Sequence, residues 1–391
     1  MTVEQIYSLM NSVTSEILGD SAVLAEDLSN VVDIGTQVFN ATDVDSYVRS
    51  IVNKIGKTIF VNRPYAGAVP SVLMDAWEFG SVLEKISADL PEASENESWN
   101  LEHGTSYDQN VFYQPTVSAK FFNKRVTFEI DCSFTELQVK QSLQSAAQLN
   151  AFLSMLYTAV DKSMTIKIDG LIMRTINYMI AATVKDDYAA ANINSKSGVK
   201  AINLLYLYNQ RFNSGDNDTP LTAADALTTP EFIRFASYTM GLYANRMTRI
   251  TTLFNIGGKD RFTPRDMLHV VLLNDFAQAA NAYLQSDTYH DEFTRLPEAE
   301  IVPYWQGSGT SYAFTDVSKV YAKLNEDDAA AYTVTGVLGI MFDRDALGVT
   351  NQDRRVTTHY NAKAEFYNNF YKFDCGSFVD PNEQAIVFFV A

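Results

Sequence analysis

The sequence predicts an α+β chain of two or three domains, with an N-terminal arm, a long β-hairpin, one very long helix and a mixed central region that late strands rejoin. Three observations carry that expectation. In Val126-Thr-Phe-Glu-Ile-Asp-Cys132, the residues Val126, Phe128, Ile130 and Cys132 alternate with Thr127, Glu129 and Asp131, as a half-buried strand requires. From Phe134 to about Ala182 there is no proline, and apolar residues recur at helical period. The chain then ends on a continuous apolar strand, Ala385 to Val390.

The N-terminal segment comes first. Ile6, Leu9, Met10, Val13, Ile17 and Leu18 recur at three- and four-residue steps, and Asp43 and Asp45 sit near the start of a second helix, Val44 to Ile55. This segment lacks an independent core and reads as an arm. Pro64, Pro70 and Pro91 punctuate the chain after it, and the acidic stretch Glu92 to Gln109 reads as a solvated loop. Val111 to Phe121 reads as the partner of the Val126–Cys132 strand, with Phe122 to Arg125 as the connecting turn. A two-stranded hairpin of that length is barely stable alone, so it must lie on another surface.

Next comes the helical stripe, through Leu137, Leu143, Leu149, Leu153, Val160, Met164, Leu171, Ile176 and Ile180. Thr135 and Gln138 have capping-box spacing at its start. Unbroken, it spans roughly 70 Å; Gly170 leaves open a division into two helices between Met164 and Gly170. Residues 192–198 and 212–220 are polar loops. Glu231 to Tyr243 and Pro264 to Leu284 read as helices, with a turn at Asn255 to Phe262 between them. Val302 to Ser311 reads as a mobile loop, Tyr332 to Phe342 as a buried strand, and Val356 to Phe378 as aromatic-rich extended chain.

Composition narrows the function. The 391 residues are 47% hydrophobic and 12% aromatic, enough for a large core and for half-wet contact surfaces. The net charge of −17 argues against coating by nucleic acid or anionic membrane. Cys132 and Cys375 form no disulfide framework, and the four histidines (His103, His269, His290, His359) show no metal-ligand spacing. The N-terminus has no basic n-region, and no apolar run reaches the roughly 20 residues of a membrane span.

Motifs of catalysis are incomplete. Gly257-Gly-Lys-Asp260 lacks the first Gly and the Ser or Thr of a phosphate loop. Gly307-Ser-Gly309 lacks the flanks of a nucleophile elbow, and Asp216-Asn-Asp218 lacks the Gly and Glu of a Ca²⁺ loop. Asp343 and Asp345 bracket Arg344, which reads as a structural ion pair.

The order of elements, and the segment Phe342 to Phe366, resemble the major capsid proteins of tailed phages with the HK97-type fold, in particular those of small short-tailed phages of Gram-positive hosts. The resemblance covers roughly residues 85–391. It implies an arm at 1–85, an extended hairpin loop at 86–133, a peripheral domain with a spine helix at 134–215 and 347–378, and an axial domain at 216–346 and 379–391. It implies a structural, non-enzymatic protein without cofactor or metal, self-assembling into an icosahedral or prolate virion shell around double-stranded DNA that it does not read. Its partners would be many copies of itself in pentamers and hexamers, a portal protein and a separate scaffold protein, with assembly in the host cytoplasm. The hairpin tip, Phe121, Phe122, Asn123, Lys124 and Arg125, would touch a neighbouring subunit; a loop of Tyr304, Trp305, Gly307, Ser308 and Gly309 would line a five- or six-fold axis. Lys120 and Lys124 have no identifiable crosslinking partner, so no crosslink is expected. An encapsulin-like compartment, a phage tail protein and an unrecognised enzyme are the alternatives.

Overall fold

The computed structural model describes residues 7, 11, 69–74, 83–88, 99, 102–106, 110–114, 117–122, 124–135, 137–138, 146–188, 193–215, 219–285, 298–305, 311–325 and 330–391. Of the arm helices expected before residue 60 only Tyr7 and Asn11 are described, both helical; the rest lies outside these residues. Strands β1 (Leu73–Met74), β2 (Leu83–Ala88), β3 (Val117–Phe122) and β4 (Arg125–Thr135) precede the long helix Ala146–Asp187. Strand β5 (Ala201–Asn203) and helices Leu204–Phe212 and Pro230–Arg246 come next, then β6 (Leu268–Leu273), helix Asn274–Gln285 and β7 (Glu300–Val302). The chain closes through β8 (Val320–Ala322), β9 (Tyr332–Val334), β10 (Val337–Asp343), β11 (Leu347–Asn361), β12 (Phe366–Val379) and β13 (Ala385–Phe389).

The chain divides into two compact units, one of Met1–Glu78, Arg125–Ile172 and Val349–Gly376, the other of Phe79–Lys124, Met173–Gly348 and Ser377–Ala391. The first is built on a four-stranded sheet, β1-β11-β12-β4. Strand β4 shows the alternation its sequence demands, with Val126, Phe128, Ile130 and Cys132 half-buried and Thr127, Glu129 and Asp131 exposed. Its antiparallel partner β12 matches it rung by rung from Phe366↔Thr135 to Gly376↔Arg125. Phe373 lies 5.2 Å from Phe128 and Tyr367 lies 5.7 Å from Phe134 between ring centroids. The opposite face is polar: Lys372 pairs with Glu129 at 2.9 Å, and Thr127 donates to Asp374 at 2.6 Å.

These pairings correct the sequence expectation for the hairpin. Strand β3 does not pair with β4; it pairs antiparallel with β2, from Leu83↔Phe122 to Ala88↔Val117. Asn123 and Lys124 have the length of a tight turn but lack the glycine that favours it. The eleven matched rungs offered by β12 outweigh a local reversal. The chain therefore leaves one sheet at Phe122 and enters another at Arg125.

The second unit centres on a five-stranded sheet of order β5-β13-β10-β6-β7. Strands β10 and β13 are buried along their whole length, which is why they read as unbroken apolar runs and sit inside the sheet. Helices Leu204–Phe212, Pro230–Arg246 and Asn274–Gln285 pack on it, with Leu205, Phe232, Ile233, Ala236, Met240, Phe276 and Ala280 among Leu272, Met341, Ile386 and Phe388. Burying one such phenylalanine is worth about 2–3 kcal/mol. Asn203 caps the first helix by accepting the Tyr206 N–H at 3.1 Å; Pro230 opens the second, with Glu231 in its first turn and Arg246 in its last. The stretch 264–284, read as helix, is instead strand β6 followed by a helix, because His269-Val-Val-Leu-Leu273 is a strand-like buried run. The expected strand 332–342 is interrupted at Gly336, whose φ of +75° separates β9 from β10.

The long helix has 42 residues, about 63 Å, and runs unbroken through Gly170. Thr135 and Gln138 make the reciprocal bonds of a capping box, Thr135 N–H donating to Gln138 Oε1 at 2.9 Å and Gln138 N–H to Thr135 Oγ1 at 3.3 Å, whereas the long helix itself is described from Ala146 and residues 139–145 between them lie outside the described residues. From Val160 to Arg174 it is amphipathic, with Val160, Met164, Ile168, Leu171 and Ile172 buried and Lys162, Ile166, Gly170 and Arg174 exposed at four-residue steps; from Thr175 to Val184 nearly every side chain is buried, Ile176 and Ile180 among them.

Candidate inter-subunit site

The candidate working parts are the apolar surfaces left uncovered among the described residues and the contacts that aim them. The β2–β3 hairpin is the most conspicuous. Cross-strand partners share a face, so Ile86, Ala119, Val117 and Phe121 lie together, and all four are exposed, Phe121 to 61%. Between the strands, Trp99 is 94% exposed, and Phe112 and Tyr113 are also bare. Exposed apolar side chains sharing one face of a hairpin mark an interaction surface rather than ordinary solvated chain.

The other face of the hairpin turns inward. Phe122 packs on Phe378, with centroids 5.3 Å apart. Lys85 and Lys120, opposite one another in the ladder, both reach Asp380, at 3.1 and 3.2 Å. Lys85 also meets Glu383 at 2.7 Å, and Arg261 lies 3.4 Å from the same Glu383 oxygen. Burial alone would raise the Asp380 carboxyl. The Asn382 N–H and the two ammonium groups outweigh that and hold it below its ordinary value. For Lys85, burial favours the neutral amine, but Glu383 and Asp380 prevail and its pKa rises.

The five residues expected at the hairpin tip are therefore divided. Phe121 is on the exposed face, whereas Phe122 is fixed to the body; both lie at the root, at the end of the ladder farthest from the Ala88↔Val117 rung. Lys124 is exposed and its carbonyl accepts from Ser377 N–H at 3.2 Å. Arg125 opens β4, and Asn123 lies outside the described residues. Sequence reasoning missed Lys85, Asp380 and Glu383, because Lys85 lies far along the chain from the two neighbouring carboxylates and no local spacing links it to them. It also passed over Trp99, an aromatic set in a polar loop, which was a usable signal.

The other candidate loop is rooted on Trp305. Its indole N–H donates to Val337 O at 2.8 Å, its carbonyl accepts from Asn177 Nδ2 at 2.7 Å, and its ring is fully buried. Tyr304 beside it is exposed, and Gly307, Ser308 and Gly309 lie outside the described residues. A cavity of about 410 Å³ beside the end of the long helix is lined by Tyr178, Met179, Lys185, Ile256 and Pro381, among others. Asp343 accepts the Asp345 backbone N–H at 2.9 Å and so closes its own turn. No cluster of three metal-ligating side chains occurs among the described residues, and no helix among them is long and apolar enough to cross a membrane.

A family model, Phi29-like phage major capsid protein, matches residues 10–389. The chain belongs to that family. This capsid protein thus builds the shell of a phage virion, and its fold is of the HK97 type. Among solved structures it is similar to a chain in the structure of the head fiber and inner core protein gp22 of native bacteriophage P68. That match has 8% identity and a TM-score of 0.52, over 85% of this chain and 86% of that one. It also matches a chain of the capsid of Staphylococcus phage Andhra, with 9% identity and a TM-score of 0.47, over 84% and 86%. No curated protein sequence matches it.

Proposed function

We propose that this capsid protein closes its shell by laying the outer face of the β2–β3 hairpin on a neighbouring copy. The observation that carries the reading is the exposed set Ile86, Val117 and Phe121 on one face of the ladder, with Trp99, Phe112 and Tyr113 of the intervening chain exposed as well. A hairpin that cannot bury this face on its own subunit gains from burying it on another, and many such contacts of modest strength favour a closed assembly. In the same reading the subunits form pentamers and hexamers. The segment beyond Trp305 lines their axes, and residues 216–346 and 379–391 make the axial part. A separate scaffold and a portal serve assembly in the host cytoplasm. The DNA inside is held without sequence-specific contacts, as the net charge of −17 favours, and the protein acts as wall rather than enzyme.

The test is Phe121→Asp together with Ile86→Asp. Both side chains are exposed, so the subunit should stay folded and soluble. Negative-stain microscopy should show the loss of closed shells. Normal shells from the double variant would show that the hairpin face plays no part in assembly. Phe122 is unsuitable for this test, since its contact with Phe378 makes it part of the fold.

A further inference from the structure

Lys85 and Lys120 form a directly opposed pair in the antiparallel ladder of the hairpin. Two like charges in that position oppose strand pairing unless an anion sits between them. Here the anion is Asp380, with only 2% of its side chain exposed, one carboxylate oxygen on each lysine. Glu383 adds a second contact to Lys85, Arg261 balances Glu383, and the Asp345 carbonyl accepts from Lys85 at 3.3 Å.

The carboxylates are not on flexible chain. They bracket the turn between β12 and β13. In it Asp380 accepts the Asn382 N–H at 3.0 Å and donates its own N–H to Ala346 O at 2.7 Å. Gly257 N–H donates to Pro381 O at 2.8 Å, and a Cβ on Gly257 would collide with Asn382 Oδ1. The turn is therefore a preformed anionic socket, and the hairpin brings the cations to it.

We infer that the root of the hairpin is conditional: β2 and β3 close at the Lys85–Lys120 rung because that rung is seated on Asp380 and Glu383, and the socket sets the hairpin's pose before any neighbouring copy is met. An ordinary hairpin is stable or unstable by its own rungs; this one carries a repulsive rung that only the body of its own subunit neutralises. The consequence for shell building, a pre-aimed arm that loses less conformational freedom on docking, rests on the function proposed above. The root itself is testable in unassembled subunits.

Hydrogen–deuterium exchange of the full chain reads it, comparing peptides from 83–88 and 117–122 with the buried strands β10 and β13. Asp380→Asn should speed exchange in both hairpin strands by about tenfold or more, with β10 and β13 still protected. Adding Lys120→Gln to that variant should restore most of the protection, because the repulsion is gone. Lys120→Gln alone should change hairpin exchange by less than about threefold, since the lost contact and the relieved repulsion offset each other. That single variant decides the matter even if Asp380→Asn fails to fold. A loss of protection of about tenfold or more in Lys120→Gln alone, or no rescue in the double variant, would show plain salt bridges and overturn the conditional rung. Shell formation plays no part in the readout, so failure of the hairpin-docking reading would leave this result standing.

Discussion

Gly336→Ala should unfold the second unit at markedly lower denaturant, and the structure sets the size of the effect. Gly336 has φ +75°, where an alanine costs about 1–2 kcal/mol. Its missing Cβ would collide with the Val390 carbonyl oxygen, which is backbone and cannot rotate away. Moving it apart disturbs the Val390 N–H to Gly336 O bond of 2.9 Å that ties the end of the chain to this turn. Overpacking of that kind adds about 1–3 kcal/mol, and the strained hydrogen bond about 1 kcal/mol. A total of about 4 kcal/mol corresponds to a midpoint about 1–2 M lower in urea. Trp305 is a suitable reporter, since it is buried and its indole is bonded to Val337, the next residue. A midpoint within about 0.3 M of the parent would be incompatible with this cost, because it would mean that the Gly336–Val390 approach is not tight in solution.

The long helix gives the opposite sign. Nothing lies within 4 Å of a Cβ placed on Gly170, so Gly170→Ala should stabilise by about 0.5–1 kcal/mol through helix propensity alone, read as a rise in the urea midpoint. Acid should act on the hairpin root in a defined window. Asp380 is held below its ordinary 3.8 by Asn382, Lys85 and Lys120 against the effect of burial. Its contribution is complete above that value and is lost as pH falls through its lower folded value. Asp343 runs the other way. Burial raises it, with Glu383 and Asp345 adding to the rise, so protonating it relieves a cost as pH drops toward 3.8. Exchange in 83–88 and 117–122 should therefore be unchanged between pH 7 and 5 after correction for intrinsic rates, and rise only below about 3.8; release already at pH 5 would contradict the assignment.

The parts of the fold that were legible in the sequence are those whose signal is local. Alternation in Val126–Cys132, the capping pair Thr135 and Gln138, and the apolar run Ala385–Val390 each name an element with its face, cap or burial. Partner choice was not local. Strand β4 is separated from β12 by more than two hundred residues, and only the rung matches Phe128–Phe373 and Phe134–Tyr367 explain why it ignores adjacent β3. The same holds for the candidate site. Phe121 was visible as an apolar residue on a strand that must lie against something. That Phe122, one residue on, is committed to Phe378 depends on which face the ladder presents to the body. Lys85, Lys120, Asp380 and Glu383 become a group only when the last turn of the chain returns to the hairpin.

Whether the hairpin builds the shell is decided by electron microscopy of the purified protein, alone and with a co-expressed scaffold. Closed shells built of many copies are expected, with the β2–β3 hairpin of each lying across a neighbour through Phe121 and Ile86. A discrete small oligomer under every condition, or shells in which that face of the hairpin is bare to solvent, would contradict hairpin docking.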